Sequence, residues 1–252
     1  MVNKPTDHIG SFAKGLRVLE AFGADTPRLS IAEAAAVTGF DRATARRCLL
    51  TLHHEGYASY DGKFFRLTHR ALRLGMGALA SLPLPQIVQP WLDQLTEQVG
   101  QSCSVAVLDG LEIVYVARAA QRRVMSIGLM PGSRLPAFCT SMGRVLLAAL
   151  PEDVAHQRIL ASDLAPRTTH SLTDPEDILA ALRQTRAQGF AVVDQEIEIG
   201  LRSIAVPLVT ARGETVAALN VGMAATHDGP AEMVSRYLPP LRKIQAGLQR
   251  LI

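Results

Sequence analysis

Residues 30–68 read SIAEAAAVTGFDRATARRCLLTLHHEGYASYDGKFFRLT, and the run divides into two short helices across a tight turn, then a β-hairpin. Ser30 with Glu33 three residues on is the S/T-x-x-E box that satisfies the free N–H groups of a helix start. Ile31, Ala34, Ala35 and Val37 give that helix an apolar face, and Gly39 offers the positive φ that ends it. Asp41 caps the next helix, in which Ala45, Cys48, Leu49 and Leu52 recur at helical spacing and turn inward. Arg42, Thr44, Arg46 and Arg47 are left facing out, all within the first two turns. Gly56 closes the helix, and strands 57–60 and 63–67 flank an Asp61-Gly62 turn.

This order of elements predicts a winged helix-turn-helix. A helix about 10–12 Å across fits a major groove about 12 Å wide, and the N-terminal part of the second helix meets the base edges. The expected DNA-facing set is Ser30 at the cap, Arg42, Thr44, Arg46 and Arg47 on the helix, and Lys63 and Arg66 on the wing. Three arginines near a helix start are by themselves an ordinary solvated face. The capped helix, glycine turn and hairpin around them give the DNA reading its weight. Residues 1–80 hold 11 Lys and Arg against 7 Asp and Glu, while the rest of the chain holds 15 against 16. The positive excess lies where DNA is expected but is small, so dimerisation is expected to double the phosphate contacts.

At 252 residues and 48% hydrophobic, the chain can bury two cores. Cys48, Cys103 and Cys139 are far apart and show neither C-x-x-C nor Cys/His ligand spacing, so no zinc site or disulfide framework is indicated and the compartment is read as reducing. No apolar leader follows Met1, and the apolar runs at 144–150 and 203–209 fall far short of the ~20 residues of a bilayer span. The expectation is a soluble, cytoplasmic protein with no membrane partner. No dinucleotide, P-loop, nucleophile-elbow or zinc-protease motif occurs, so no cofactor, no metal and no catalytic residue is assigned.

Three segments follow from the pattern: a DNA-binding domain at 1–68, a linker helix at 69–85, and a third region at 86–252. A helix over 14–24, with Leu16, Val18, Leu19 and Phe22 packing under the helix-turn-helix, completes the first. The helix at 69–81 carries Leu72, Met76, Leu79 and Ala80 on one side, stops at Pro83 and Pro85, and is a candidate for self-association. In the third region a helix (87–99) precedes a hairpin of strands 103–108 and 111–116 about Asp109-Gly110. Further strands are expected at 124–130, 190–197, 203–210 and 216–223, with helices from Thr140 or Ser141 to Leu150, from Asp174 to Arg186, and from Pro230 to Leu251. The fold class is α+β, with helices packed on an antiparallel sheet.

Residues 11–19 (SFAKGLRVL), 135–148 (LPAFCTSMGRVLLA) and 194–207 (DQEIEIGLRSIAVP) give the chain, over nearly its whole length, a resemblance to the IclR family of transcriptional regulators. RATARR and CTSMGRVLLAAL resemble most the branch controlling aromatic-acid catabolism by the β-ketoadipate route. The resemblance implies a GAF-like effector-binding domain at 86–252 and a homodimer or homotetramer on a double-stranded operator. It also implies an effector pocket at Val124, Ile127, Leu135, Ser141, Met142, Asp194, Leu201, Ser203 and Asn220. Phe138 stands where relatives carry His or Tyr.

Chemically, Ser141, Met142 and Gly143 at a helix start would offer backbone N–H groups to a carboxylate or other polar head. Val124, Ile127, Leu135 and Phe138 would wall a benzene ring, with Ser203 and Asn220 as placed polar contacts. Each aliphatic taken alone is ordinary core; Asn220 within AALNVG is the sharper signal, since a buried amide needs partners. The expected effector is a small aromatic acid such as a hydroxybenzoate, or a derivative of one. The alternatives are a regulator responding to a glyoxylate- or pyruvate-like acid, an enzyme using Cys139 with Asp194, Glu196 or Glu198, and a thiol sensor built on Cys48 and Cys139. None of His156, His170 and His227 sits in a motif that would bring a base to Cys139.

Overall fold

In the computed structural model the chain separates into two compact units, Met1–Ser81 and Leu82–Ile252. The structure describes residues 8–23, 26–81, 83–121, 128–225 and 229–252, and only the backbone of 76–81.

The first unit contains α1 (Gly10–Glu20), α2 (Ile31–Thr38), α3 (Arg42–His54), β1 (Ala58–Tyr60), β2 (Phe65–Leu67) and α4 (His69–Ser81). Its core is Val18, Leu29, Ala34, Ala35, Ala45, Leu49, Ala58 and Phe65, drawn from α1, α2, α3, β1, β2 and the segment before α2. The capping box is formed: Ser30 Oγ accepts from the Glu33 N–H at 3.3 Å, and Glu33 Oε2 accepts from the Ser30 N–H at 2.7 Å. Gly39 then takes φ +70, which turns the chain into α3. Four expectations need correction here. Helix α1 starts four residues earlier than expected and its Leu16 is 42% exposed; Val37 is 58% exposed, because α2 buries Ala34, Ala35 and Thr38 instead. The wing turn is not a two-residue hairpin. Residues 61–64 form a loop closed by Asp61, whose carboxylate accepts from the N–H groups of Lys63 and Phe64 at 2.9 and 2.7 Å.

The second unit runs α5 (Pro83–Val99), β3 (Ser102–Asp109), β4 (Glu112–Ala119), β5 (Arg134–Pro136), α6 (Ser141–Ala148), α7 (Glu152–Ala161), α8 (Pro175–Gln188), β6 (Ala191–Asp194), β7 (Leu201–Val209), β8 (Thr215–Ala224) and α9 (Pro230–Leu248). The six strands form one antiparallel sheet in the order β5-β4-β3-β8-β7-β6. Alternation along the strands builds a core on each face. Helices α5 and α9 cover one through Leu92, Leu95, Tyr237, Leu241 and Ile244. Helices α6, α7 and α8 cover the other through Met142, Leu146, Leu147, Ile159, Ile178 and Leu182.

Pro83 and Pro85, expected to stop a helix, lie instead in the first turn of α5, where a missing N–H costs nothing. The structure therefore places 83–85 in the second unit's first helix, not in the linker. Of the strand expected at 124–130, residues 124–127 lie outside the described residues. Residues 128–130 are not strand, and Arg134–Pro136 pairs with β4 instead. The strand expected over 190–197 stops at Asp194, because Gln195 takes φ +60 and turns the chain into a loop. Helix α7 has no counterpart among the expected elements; it buries only Ala155 and Ile159, too narrow a stripe to read as helical periodicity.

Candidate functional site

On the first unit, Arg42, Arg46 and Arg47 are exposed on α3, as are Lys63 and Arg66 on the wing. Thr44 is half-buried, its hydroxyl donating to Asp41 Oδ2 at 2.8 Å, while its N–H goes to Oδ1 at 2.8 Å. Those bonds hold the Asp41 carboxylate below its usual pKa and commit Thr44 to the helix start. The Ser30 hydroxyl oxygen is likewise taken by the cap, so both residues fix the helices rather than project from them. Arg28 and Lys63 both lie over the Phe64 ring, 4.3 and 5.1 Å from its centroid, and Arg17 lies over Phe40 at 4.9 Å. Arg28 thereby joins the wing as a cation that periodicity could not place, since it precedes the first capped helix and only the fold brings it to residue 64.

On the second unit, Thr140 caps α6, its Oγ1 accepting from the Gly143 N–H at 3.1 Å. The Gly143 N–H expected to be open to a ligand is therefore occupied. A Cβ on Gly143 would collide with the backbone of Ala137, so glycine is required where residues 135–140 fold back onto the helix. The side chain of Arg144 crosses from α6 into the 195–200 loop. Its Nε donates to the Phe138 carbonyl at 3.1 Å, and its Nη2 lies 2.7 Å from Glu196 Oε2, with both side chains buried. Glu196 Oε2 also accepts from the Leu172 N–H at 3.2 Å, and the Glu196 carbonyl accepts from Ser171 Oγ at 2.7 Å. Burial nevertheless holds the Glu196 carboxyl above its usual pKa, against the pull of Arg144.

Between the start of α6, this loop and the sheet lies a cavity of about 30 Å3, room for a single water. Six of the sequence-expected residues meet there: Leu135, Ser141, Met142, Leu201, Ser203 and Asn220. Tyr115, Leu129, Thr140, Val193 and Ile197 line it as well and were not singled out from sequence. Tyr115 and Val193 carried only the period-2 alternation of strands whose registers were not yet known, Thr140 was read as a helix cap alone, and Leu129 and Ile197 lie in loops that carry no periodic signal. Ser141 Oγ and Asn220 Oδ1 are buried there without a hydrogen-bond partner among the described residues.

Two expected members stand elsewhere, and two more lie outside the described residues. Phe138 is 1% exposed and packs into the core under α6, giving the site only its carbonyl. Asp194 is held bidentately by Arg202 at 2.9 Å on each oxygen, which takes its carboxylate away from the cavity. Val124 and Ile127 lie outside the described residues.

Cys139 is fully buried and its thiol is pushed up to about 12, first by burial and then by Glu196. Of its expected acid/base partners Asp194, Glu196 and Glu198, the first two are each committed to an arginine. Among the described residues no cluster of His, Cys, Asp and Glu could hold a metal, and no helix is long and apolar enough to cross a membrane.

Residues 11–62 match the family model described as IclR helix-turn-helix domain, and residues 76–246 match the one described as bacterial transcriptional regulator IclR C-terminal. The chain is 44% identical to the Pca regulon regulatory protein of Pseudomonas putida, over 93% of this chain and 81% of that protein. It is 39% identical to the p-hydroxybenzoate hydroxylase transcriptional activator of Acinetobacter baylyi, over 98% and 93%. Among solved structures, a double mutant of the PobR inducer-binding domain from Acinetobacter, in complex with 3-hydroxybenzoic acid, is 34% identical. It superposes with a TM-score of 0.63, covering 67% of this chain and 98% of that one.

Proposed function

We propose, because the chain belongs to the IclR family of bacterial transcriptional regulators, that it binds an operator through α3 and the wing and releases or tightens that grip when a small aromatic acid enters the cavity beneath α6. The observation that carries the effector half is the pair of buried, unpartnered polar atoms, Ser141 Oγ and Asn220 Oδ1, on a cavity otherwise walled by Leu129, Leu135, Met142, Val193, Ile197 and Leu201. A buried polar group left without a partner costs about 1–3 kcal/mol. A flat ring bearing polar substituents repairs both atoms and fills the apolar walls. A hydroxybenzoate is the simplest such molecule: a relative 39% identical to this chain is named as activator of p-hydroxybenzoate hydroxylase, and the PobR inducer-binding domain is seen in complex with 3-hydroxybenzoic acid. The 39% and 34% identities of those sequences with this chain support the extension.

A cavity of about 30 Å3 does not hold a benzene ring, so binding requires lining side chains to move apart. The effector therefore binds an opened state more tightly than this one. That difference in affinity is the free energy available for changing operator binding.

Two copies are needed for the DNA half. Exposed Ile9, Phe12 and Leu16 on and before α1, with Leu72 and Leu74 on α4, supply apolar surface for self-association of the first unit. A dimer places two α3 helices on half-sites about one helical turn, or a multiple of it, apart.

Calorimetric titration of the full chain with 4-hydroxybenzoate, beside glyoxylate and pyruvate, tests the effector. Binding of the aromatic acid alone supports the proposal. Tight binding of the two small acids with none of the aromatic one overturns the aromatic assignment.

A further inference from the structure

Arg118 was not among the residues that sequence placed at the site, yet strand register sets it on the sheet face that carries the cavity, one strand beyond Ser104. On β4 it is the Cα partner of Ser104 on β3, and Ser104 is in turn the partner of Asn220 on β8. The three side chains stand abreast on one face of the sheet, with Cβ atoms about 5 Å apart from strand to strand. It is the face that carries the cavity. The register shift after Val105 pairs Ala106 with Tyr115, which puts Tyr115 and Arg118 on the same side despite their odd spacing. Tyr115 lines the cavity, as does Asn220.

The guanidinium reaches along this row. Arg118 Nη1 donates to Ser104 Oγ at 2.9 Å, and Ser104 is 1% exposed, so the charge is carried over β3 toward Asn220. Arg118 is half-buried, and its charge acts on the Tyr115 phenol, which burial pushes up to about 12 while Arg118 pulls it down. A positive charge beside a largely apolar cavity favours an anion there, and the planar fork of an arginine matches a carboxylate.

Resting on the aromatic-acid reading above, we infer that Arg118 is the residue that selects for the effector's carboxylate, seating it between Arg118 and Asn220 at the β4-β3-β8 row and leaving Ser141 to the ring's other substituent. Asn220 suits this role in either orientation. Turned about its Cβ–Cγ bond it presents Nδ2 to the anion instead of Oδ1.

The test is calorimetry on the full chain with two probes of one shape, 4-hydroxybenzoate and its neutral amide, 4-hydroxybenzamide. The wild type is expected to prefer the acid. Arg118→Met, which keeps the apolar stem, is expected to lose about 10- to 100-fold on the acid, the scale of a charge-assisted hydrogen bond, and to bind the amide as the wild type does. An equal loss on both probes would mean a merely structural residue and overturns the assignment, as does no loss on either. A wild type that binds acid and amide alike removes Arg118 from the recognition while leaving the aromatic reading in place. A wild type that binds neither overturns that reading, and this inference with it. Should Arg118→Met fail to fold, Arg118→Lys carries the test: its smaller loss must again fall on the acid and spare the amide.

Discussion

Arg144 and Glu196, 52 residues apart in the chain, form a buried ion pair 2.7 Å long that joins the start of α6 to the loop carrying Ile197. The cavity lies between those two elements, so one contact sets the spacing of two of its walls. The pair does so at some expense, since burial outweighs the attraction of Arg144 and leaves the Glu196 pKa raised in the folded protein.

A raised folded-state pKa fixes the sign of a pH effect. The contribution of Glu196 to stability is fully present below its unfolded value of about 4.5 and declines as pH rises through the folded value. Glu196→Gln cannot titrate, so the stability of the wild type relative to this variant should be greatest near pH 4 and fall toward neutrality. Urea denaturation of both proteins at several pH values reads this directly. Arg144→Met, by contrast, strands the carboxylate and should cost about 3–5 kcal/mol at neutral pH.

Gly143→Ala should be far more damaging than a glycine substitution usually is. The added methyl meets the Ala137 backbone, and overpacking of this kind costs about 1–3 kcal/mol or more. Gly15→Ala, in α1 with open space around it, is the matched control and should be neutral or slightly stabilising. Chemical denaturation midpoints compare them.

Asn220→Leu and Ser203→Val should each weaken 4-hydroxybenzoate binding by about 1–3 kcal/mol through lost polar partners. Removing the Asn220 amide, whose Oδ1 has no partner among the described residues, should leave the thermal midpoint of the free protein nearly unchanged. A midpoint that falls in step with affinity would show that the amide serves the fold and not the ligand.

On DNA, Arg46→Ala should cost about 1–3 kcal/mol of operator affinity if the arginine pairs with a guanine edge, and should relax preference at that base. Lys63→Ala should weaken all sequences alike and reduce the salt slope by about 1. Fluorescence anisotropy with operator and scrambled duplexes across a salt series separates the two. Equal losses on both duplexes for Arg46→Ala would remove it from base reading.

Iodoacetamide should discriminate the cysteines sharply. Cys139 and Cys103 are buried with thiols pushed up to about 12 and about 11, so both should stay unlabelled at pH 8 until the second unit unfolds. Cys48, half-buried on α3, should react first. Rapid labelling of Cys139 in the folded protein would revive the nucleophile reading.

Local chemistry made the DNA-binding unit legible without coordinates. Ser30 and Glu33, Gly39, and Asp41 with Thr44 act within three or four residues of one another, so spacing along the chain is spacing in space. The two Asp-Gly turns and the β-branched runs similarly announced paired strands, although at Asp61 the wing closed as a longer loop. What spacing could not reach was everything decided by register and long-range docking. Phe138 and Asn220 both looked like pocket residues by position, but folding back of residues 135–140 onto Gly143 buries the ring in the core. Asp194 lost its carboxylate to Arg202, its Cα partner across a strand pair. Arg118 was put on one row with Ser104 and Asn220 only by two strand registers and a bulge, and Arg144 found Glu196 only after the sheet and α6 had packed. A strand's alternation says which residues share a face, but the neighbour each one meets is set by pairing with a distant segment, and that pairing exists only in the folded chain.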